Sequence, residues 1–207
     1  MKRAAWAVMT ALALIVAVYA ALVLFLPGFG PPFVAERRAV VPWALYGHLG
    51  GGSAAMALGP WQFNARLRQR FLTIHRWMGR SYVTAVSCGG LGGLALAARS
   101  QHGLVTHLGF GLLAVLWLFA TLQAYLRIRS GDQVRHRRWM IRSYALTLAA
   151  VTLRIYLPAS QMAGIPFPDA YQTISWLCWV PNLVVAEWWI LRFTPSPSSP
   201  APPGAAT

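Results

Sequence analysis

Six apolar stretches divide this chain, at roughly 7–27, 42–60, 81–98, 104–126, 143–158 and 170–191, each at or near the ~20 residues that a helix needs to cross a bilayer. Unpaired backbone groups in lipid cost several kcal/mol each, so spans of this kind are helices. With 57% hydrophobic and only 11% charged residues among 207, the composition is that of a polytopic membrane protein. The expected fold is therefore an all-α integral membrane protein, a six-helix membrane domain over residues 1–192. Lys2 and Arg3 ahead of the first stretch resemble the start of a secretory signal. Its apolar run of about 20 residues exceeds the 7–15 of a signal core, which reads as a retained helix.

A net charge of +14 invites a nucleic-acid reading, but the placement of the charges decides otherwise. With the N-terminus assigned to the cytoplasm, fourteen Lys and Arg fall in inner loops and three, Arg37, Arg38 and Arg99, in outer ones; Arg154 lies inside a helix. That asymmetry predicts an inner-membrane protein with both termini cytoplasmic. The basic loops suit the anionic headgroups of membrane lipid, and nucleic acid is excluded as a partner. Cys88 and Cys178 both sit in apolar stretches. They read as small buried hydrophobes, and neither a disulfide framework nor a thiolate metal site is expected.

The chain also repeats itself. HRWMGRSY at 75–82 returns as HRRWMIRSY at 136–144, and HLGGG at His48 returns as HLGFG at His107. Residues 48–68 align with 107–127 without gaps, and one insertion brings the two HR motifs into register. The unit is a helical hairpin present twice, over 42–98 and 104–158. Four core helices with approximate twofold pseudosymmetry about the membrane normal follow from it. Because the two copies run in the same direction and no broken helices are expected, the pattern is not that of an inverted-repeat transporter.

The repeat arranges four histidines in two pairs. His48 and His107 should share a depth about 12 residues, or roughly 18 Å, above the inner ends of their helices. His75 and His136 should form a second pair at the inner mouths of the following helices. Two facing pairs are what two haem b groups would require, one imidazole from each of two helices closing each iron to all but electron transfer. A single haem at one pair is the lesser version. His48, Gly52 and Ala55 share a face, as do His107, Gly111 and Ala114. Small residues there either leave room for a macrocycle or let helices approach closely.

Other polar residues have weaker assignments. Arg80 and Arg142, beside the inner histidines, are candidates for haem propionates or an anionic donor. Arg154 is deep enough in the fifth helix to hold a propionate or polarise a quinone near the outer pair. Glu187 is placed to meet a loop arginine. His102 has no counterpart and reads as solvated. The tail 193–207, rich in Pro, Ser and Ala, reads as disordered. No HExxH or HxxxH box is present and acidic ligands are nearly absent, which argues against a non-haem metal enzyme.

The strings HLGGGSAAMALGPWQF, HRWMGRSY, SGDQVRHRRWMIRSYALTLAAVTLRIYLP and WLCWVPNLVVAEW resemble an uncharacterised family of predicted bacterial membrane proteins. The resemblance covers about residues 42–192 and implies membrane placement. Architecturally, six helices with histidine pairs at two depths are similar to the two-haem cytochrome b-561 family. That resemblance implies His48 and His107 as outer-haem ligands and His75 and His136 as inner-haem ligands. It also implies electron transfer from a cytoplasmic reductant such as ascorbate, or from a quinol, to an outer acceptor. The alternative is a haem-free membrane scaffold, assembly factor or small transporter.

Overall fold

The computed structural model describes residues 3–26, 28–100 and 102–194. The tail predicted to be disordered lies, from 195 onward, outside the described residues. Ten helices follow one another with no strand among the described residues: α1 (Arg3–Phe25), α2 (Pro32–Val40), α3 (Pro42–Gln62), α4 (Ala65–Arg70), α5 (Leu72–Ala97), α6 (Gly103–Arg129), α7 (Gln133–Thr147), α8 (Ala149–Met162), α9 (Phe167–Leu177) and α10 (Val180–Phe193). Four helical stretches among the described residues are long and apolar enough to cross a membrane: Ala4–Phe25, Gly103–Arg129, Gln133–Met162 and Phe167–Phe193.

The helices overrun the apolar stretches at one end, here called the basic end. Hydropathy places a helix at 81–98, yet α5 starts at Leu72, and α7 starts at Gln133 ahead of the stretch 143–158. Charge ends an apolar run but does not by itself end a helix; α5 begins after Phe71 without a side-chain cap, whereas α7 and the short α4 are capped. The side chain of Asp132 accepts from the Arg135 amide at 2.9 Å, and that of Asn64 accepts from the Leu67 amide at 3.1 Å to start α4. His75 and His136 are in consequence inside their helices, each four residues from the start.

Two of the long stretches are broken, against the expectation of continuous helices. Leu148 interrupts α7–α8, and Cys178 and Trp179 interrupt α9–α10. Pro181 explains the second break, since proline lacks an N–H and clashes with the preceding turn. At the first, the Asn182 amide of α10 donates to the Ala145 carbonyl at 3.3 Å and to Thr152 Oγ1 at 3.0 Å. One side chain thus ties the two interruptions together.

The helices α3 and α5 meet through glycine. A methyl group on Gly51 would strike the Ala85 carbonyl and the Gly89 amide, and one on Gly92 would strike the Ala44 carbonyl. Close backbone approach of this kind is how small residues hold helices together in lipid. On the other side of α3, Met56 packs with Ala13, Val16 and Ala17 of α1 and Val151 of α8. The main core, around Ala55, Tyr82, Val86, Trp117, Tyr144 and Ile174, joins α3, α5, α6, α7 and α9. Cys178 belongs to that core, whereas Cys88, expected buried, faces outward from α5.

Candidate functional site

Each candidate histidine is best judged by its two ring nitrogens. His48 on α3 places Nδ1 3.0 Å from the Gly89 carbonyl of α5. His107 places Nδ1 2.6 Å from Gly103 O on its own helix, and His136 of α7 places it 2.8 Å from Ala124 O on α6. A carbonyl only accepts, so Nδ1 carries the proton in all three and Nε2 keeps a free lone pair. His75 differs, because its Nδ1 is buried without a partner.

The surroundings of His48 are informative. Its side chain is exposed, and the ring lies against α5, where a methyl group on Gly93 would come within 2.8 Å of Nδ1. One turn along α3, a methyl group on Gly52 would meet nothing within 4 Å, and the same is true of Gly111, one turn beyond His107. The glycines of the HLG motifs thus divide into two kinds. Gly51 allows contact between helices, while Gly52 and Gly111 leave space.

His48 and His107 lie on helices that each pack on α5. α3 packs on α1 and α5, and α6 on α5, α7 and α9, so α5 stands between the two ligand helices. At the basic end, His136 is among the groups that act electrostatically on His75, and Arg68 acts on both. Burial, followed by Arg68, His136 and Arg76, pushes the His75 imidazole below its ordinary value, which leaves it neutral.

The candidate arginines have separate roles. Arg142 is held by Glu187 of α10 through two hydrogen bonds, Nε to Oε1 at 2.5 Å and Nη2 to Oε2 at 2.8 Å. It also stacks over Trp139 at 4.6 Å. Arg80 is exposed and stacks over Trp77 at 5.1 Å, the equivalent position of the repeat. Arg154 hydrogen-bonds only to Ala150 O of its own helix, at 3.0 Å, stacks over Tyr19 at 5.0 Å and acts electrostatically on His48.

Sequence reasoning missed two features. Tyr82 OH lies 2.8 Å from Ser143 Oγ and 2.9 Å from Thr147 Oγ1. Thr121 Oγ1 lies 2.7 Å from Ser143 Oγ, and Trp117 Nε1 donates to Thr147 at 2.9 Å. This buried network joins α5, α6 and α7. Its only sequence signal is isolated hydroxyl residues in apolar helices. The second feature is His102, expected to be solvated. It is half-buried and packs edge-on against Phe167 and Tyr171, with ring centroids at 5.5 and 5.4 Å.

Together these features define an all-helical membrane protein with polar side chains gathered inside its bundle. Residues 45–190 match the family described as predicted membrane protein (DUF2306), and the chain belongs to that family. No curated protein and no solved structure matches it.

Proposed function

We propose that this protein is a b-type haem electron carrier of the inner membrane, with six crossings built on the duplicated hairpin and both termini in the cytoplasm. The observation that carries the reading is the shared state of three imidazoles, each with its Nδ1 proton on a backbone carbonyl. Histidines that ligate metals are commonly oriented by such a bond, which fixes the tautomer and raises the basicity of the other nitrogen. No protein atom lies within 4 Å of a methyl group built on Gly52 or Gly111, so neither glycine obstructs a flat group beside its histidine.

His48 and His107 would hold one haem, and His75 and His136 a second. Haem, when bound, supplies one-electron chemistry at its iron. The chain's own residues hold the imidazoles in the ligating tautomer and exclude water from the bundle. Near the basic end, Arg68 and Arg76 present positive charge to a donor of the ascorbate or quinol class. The haem-free scaffold has one observation in its favour: the Arg-Ser-Tyr parts of the repeat are spent on packing, through Arg142 with Glu187 and Tyr82 with Ser143.

The test is the number of haems per polypeptide, measured by pyridine haemochrome on wild type, His48→Ala and His75→Ala. Each substitution should remove one haem and leave the other. Folded wild-type protein that carries no haem when purified from haem-replete cells contradicts the proposal, and loss from only one variant reduces it to a single haem.

A further inference from the structure

The two copies of the repeat meet different neighbours. Trp77 and Arg80 of α5 correspond to Trp139 and Arg142 of α7, each pair standing just ahead of an apolar stretch. On α7 the pair is covered: α10 packs against this helix, and Glu187 holds Arg142 through both carboxylate oxygens. On α5 the same pair is bare. Arg80 stacks on Trp77 at 5.1 Å, both side chains are exposed, Trp77 by 62%, and neither ion pair among the described residues reaches Arg80.

The bare face continues along α5. Ser81, Thr84 and Cys88 follow Trp77 and Arg80 at helical spacing, and all three are exposed; α3, α4 and α6, on which α5 packs, leave this side open. The exposed faces of α1 and α6 differ in kind, being built from Ile15, Val18 and Leu22 and from Leu108, Leu112 and Val115. Lipid tails offer nothing to a hydroxyl, whereas small and polar side chains are what helices present to one another within a membrane. A lipid phosphate would satisfy Arg80 at the surface, but Thr84 and Cys88 lie about 6 and 12 Å further along the helix, among the tails. α5 thus has the composition of a helix contact on a side where the described residues supply no helix.

A second copy of this chain does not fit there. A twofold axis along the membrane normal would set Arg80 against Arg80, and the four acidic residues of the chain are placed elsewhere. Glu187 is on Arg142, Asp132 caps α7, and Glu36 and Asp169 stand on α2 and at the start of α9, away from the basic end. We propose that the Trp77–Arg80 face of α5 docks a membrane-spanning helix of a second protein, one that carries a carboxylate near the basic end, as α10 does for α7. The carboxylate would take Arg80 in the two-pronged geometry that Glu187 makes with Arg142, and the small side chains at 81, 84 and 88 would let the two backbones approach. Whether haem is bound does not bear on this contact.

The probe is a photoreactive diazirine residue placed at Thr84 of the full chain and irradiated in membranes of the native host, with the same residue at Val115 of α6 as the lipid-facing reference. The expected product at Thr84 is a single heavier species whose cross-linked peptide, sequenced by mass spectrometry, is an apolar helix with an Asp or Glu near the basic end. Val115 should yield lipid adducts only. Arg80→Glu should abolish the protein product, and a Lys in place of the partner's acid should restore it. Arg80→Gln, which adds no charge and serves if Arg80→Glu fails to fold, should lower the yield about tenfold, the value of a charge-assisted hydrogen bond. Lipid adducts alone at Thr84, adducts to a second copy of this chain, or a protein adduct indifferent to the Arg80 substitutions each overturn the proposal.

Discussion

Where α5, α6 and α7 cross, every hydroxyl of Tyr82, Thr121, Ser143 and Thr147 has a partner, whereas on α8 the Nε of Arg154 is buried and unpaired. Both regions are polar and lie inside a membrane protein. The first is complete as it stands, which is what a structural lock requires, since a half-satisfied network is worse than an apolar core. The second is incomplete, because a buried guanidinium nitrogen is left with unmet hydrogen-bonding capacity.

Adjacent glycines give the sharpest test of that contrast. Gly51→Ala drives a methyl group into the α5 backbone, where neither partner is a flexible side chain. It should cost about 3 kcal/mol, the upper part of the range for overpacking, measured by SDS titration in mixed micelles. Tyr82→Phe leaves Ser143 and Thr147 to share one partner fewer and should cost about 1–2 kcal/mol. Glu187→Gln is milder. With side-chain exposures of 23% for Arg142 and 44% for Glu187, solvent screens the pair, and about 0.5–1 kcal/mol is expected.

Gly52→Ala should be the smallest change, a gain of about 0.5 kcal/mol from helix propensity with no steric cost. Gly52→Leu should then fold normally and, on the haem proposal, lose the haem assigned to His48, read by pyridine haemochrome. If Gly52→Ala destabilises as much as Gly51→Ala, the space beside Gly52 is not open and the two regions are alike.

The parts that sequence made visible are those encoded by neighbours. Apolar runs mark α1 and α6, and the repeated HLG and HR motifs mark the histidines at corresponding places. Position in sequence does not reveal tertiary partners. Nothing near Arg142 announces Glu187, 45 residues away, and the interruption at Leu148 depends on Asn182, whose amide takes a carbonyl of a different helix. His102 looks like an exposed loop residue until α9 brings Phe167 and Tyr171 against it. The two kinds of glycine are likewise indistinguishable in HLGGG, because what faces each one is set by where α5 packs against α3.

The tautomers of His48, His107 and His136 matter most, since they are what connects the fold to haem. The direct measurement is the dithionite-reduced minus oxidised absorbance spectrum of protein purified from haem-replete cells. A sharp α-band in the b-type region, lost in part in His48→Ala, is the result predicted. A flat spectrum from folded protein would contradict the haem assignment and leave the imidazoles as hydrogen bonds to backbone carbonyls.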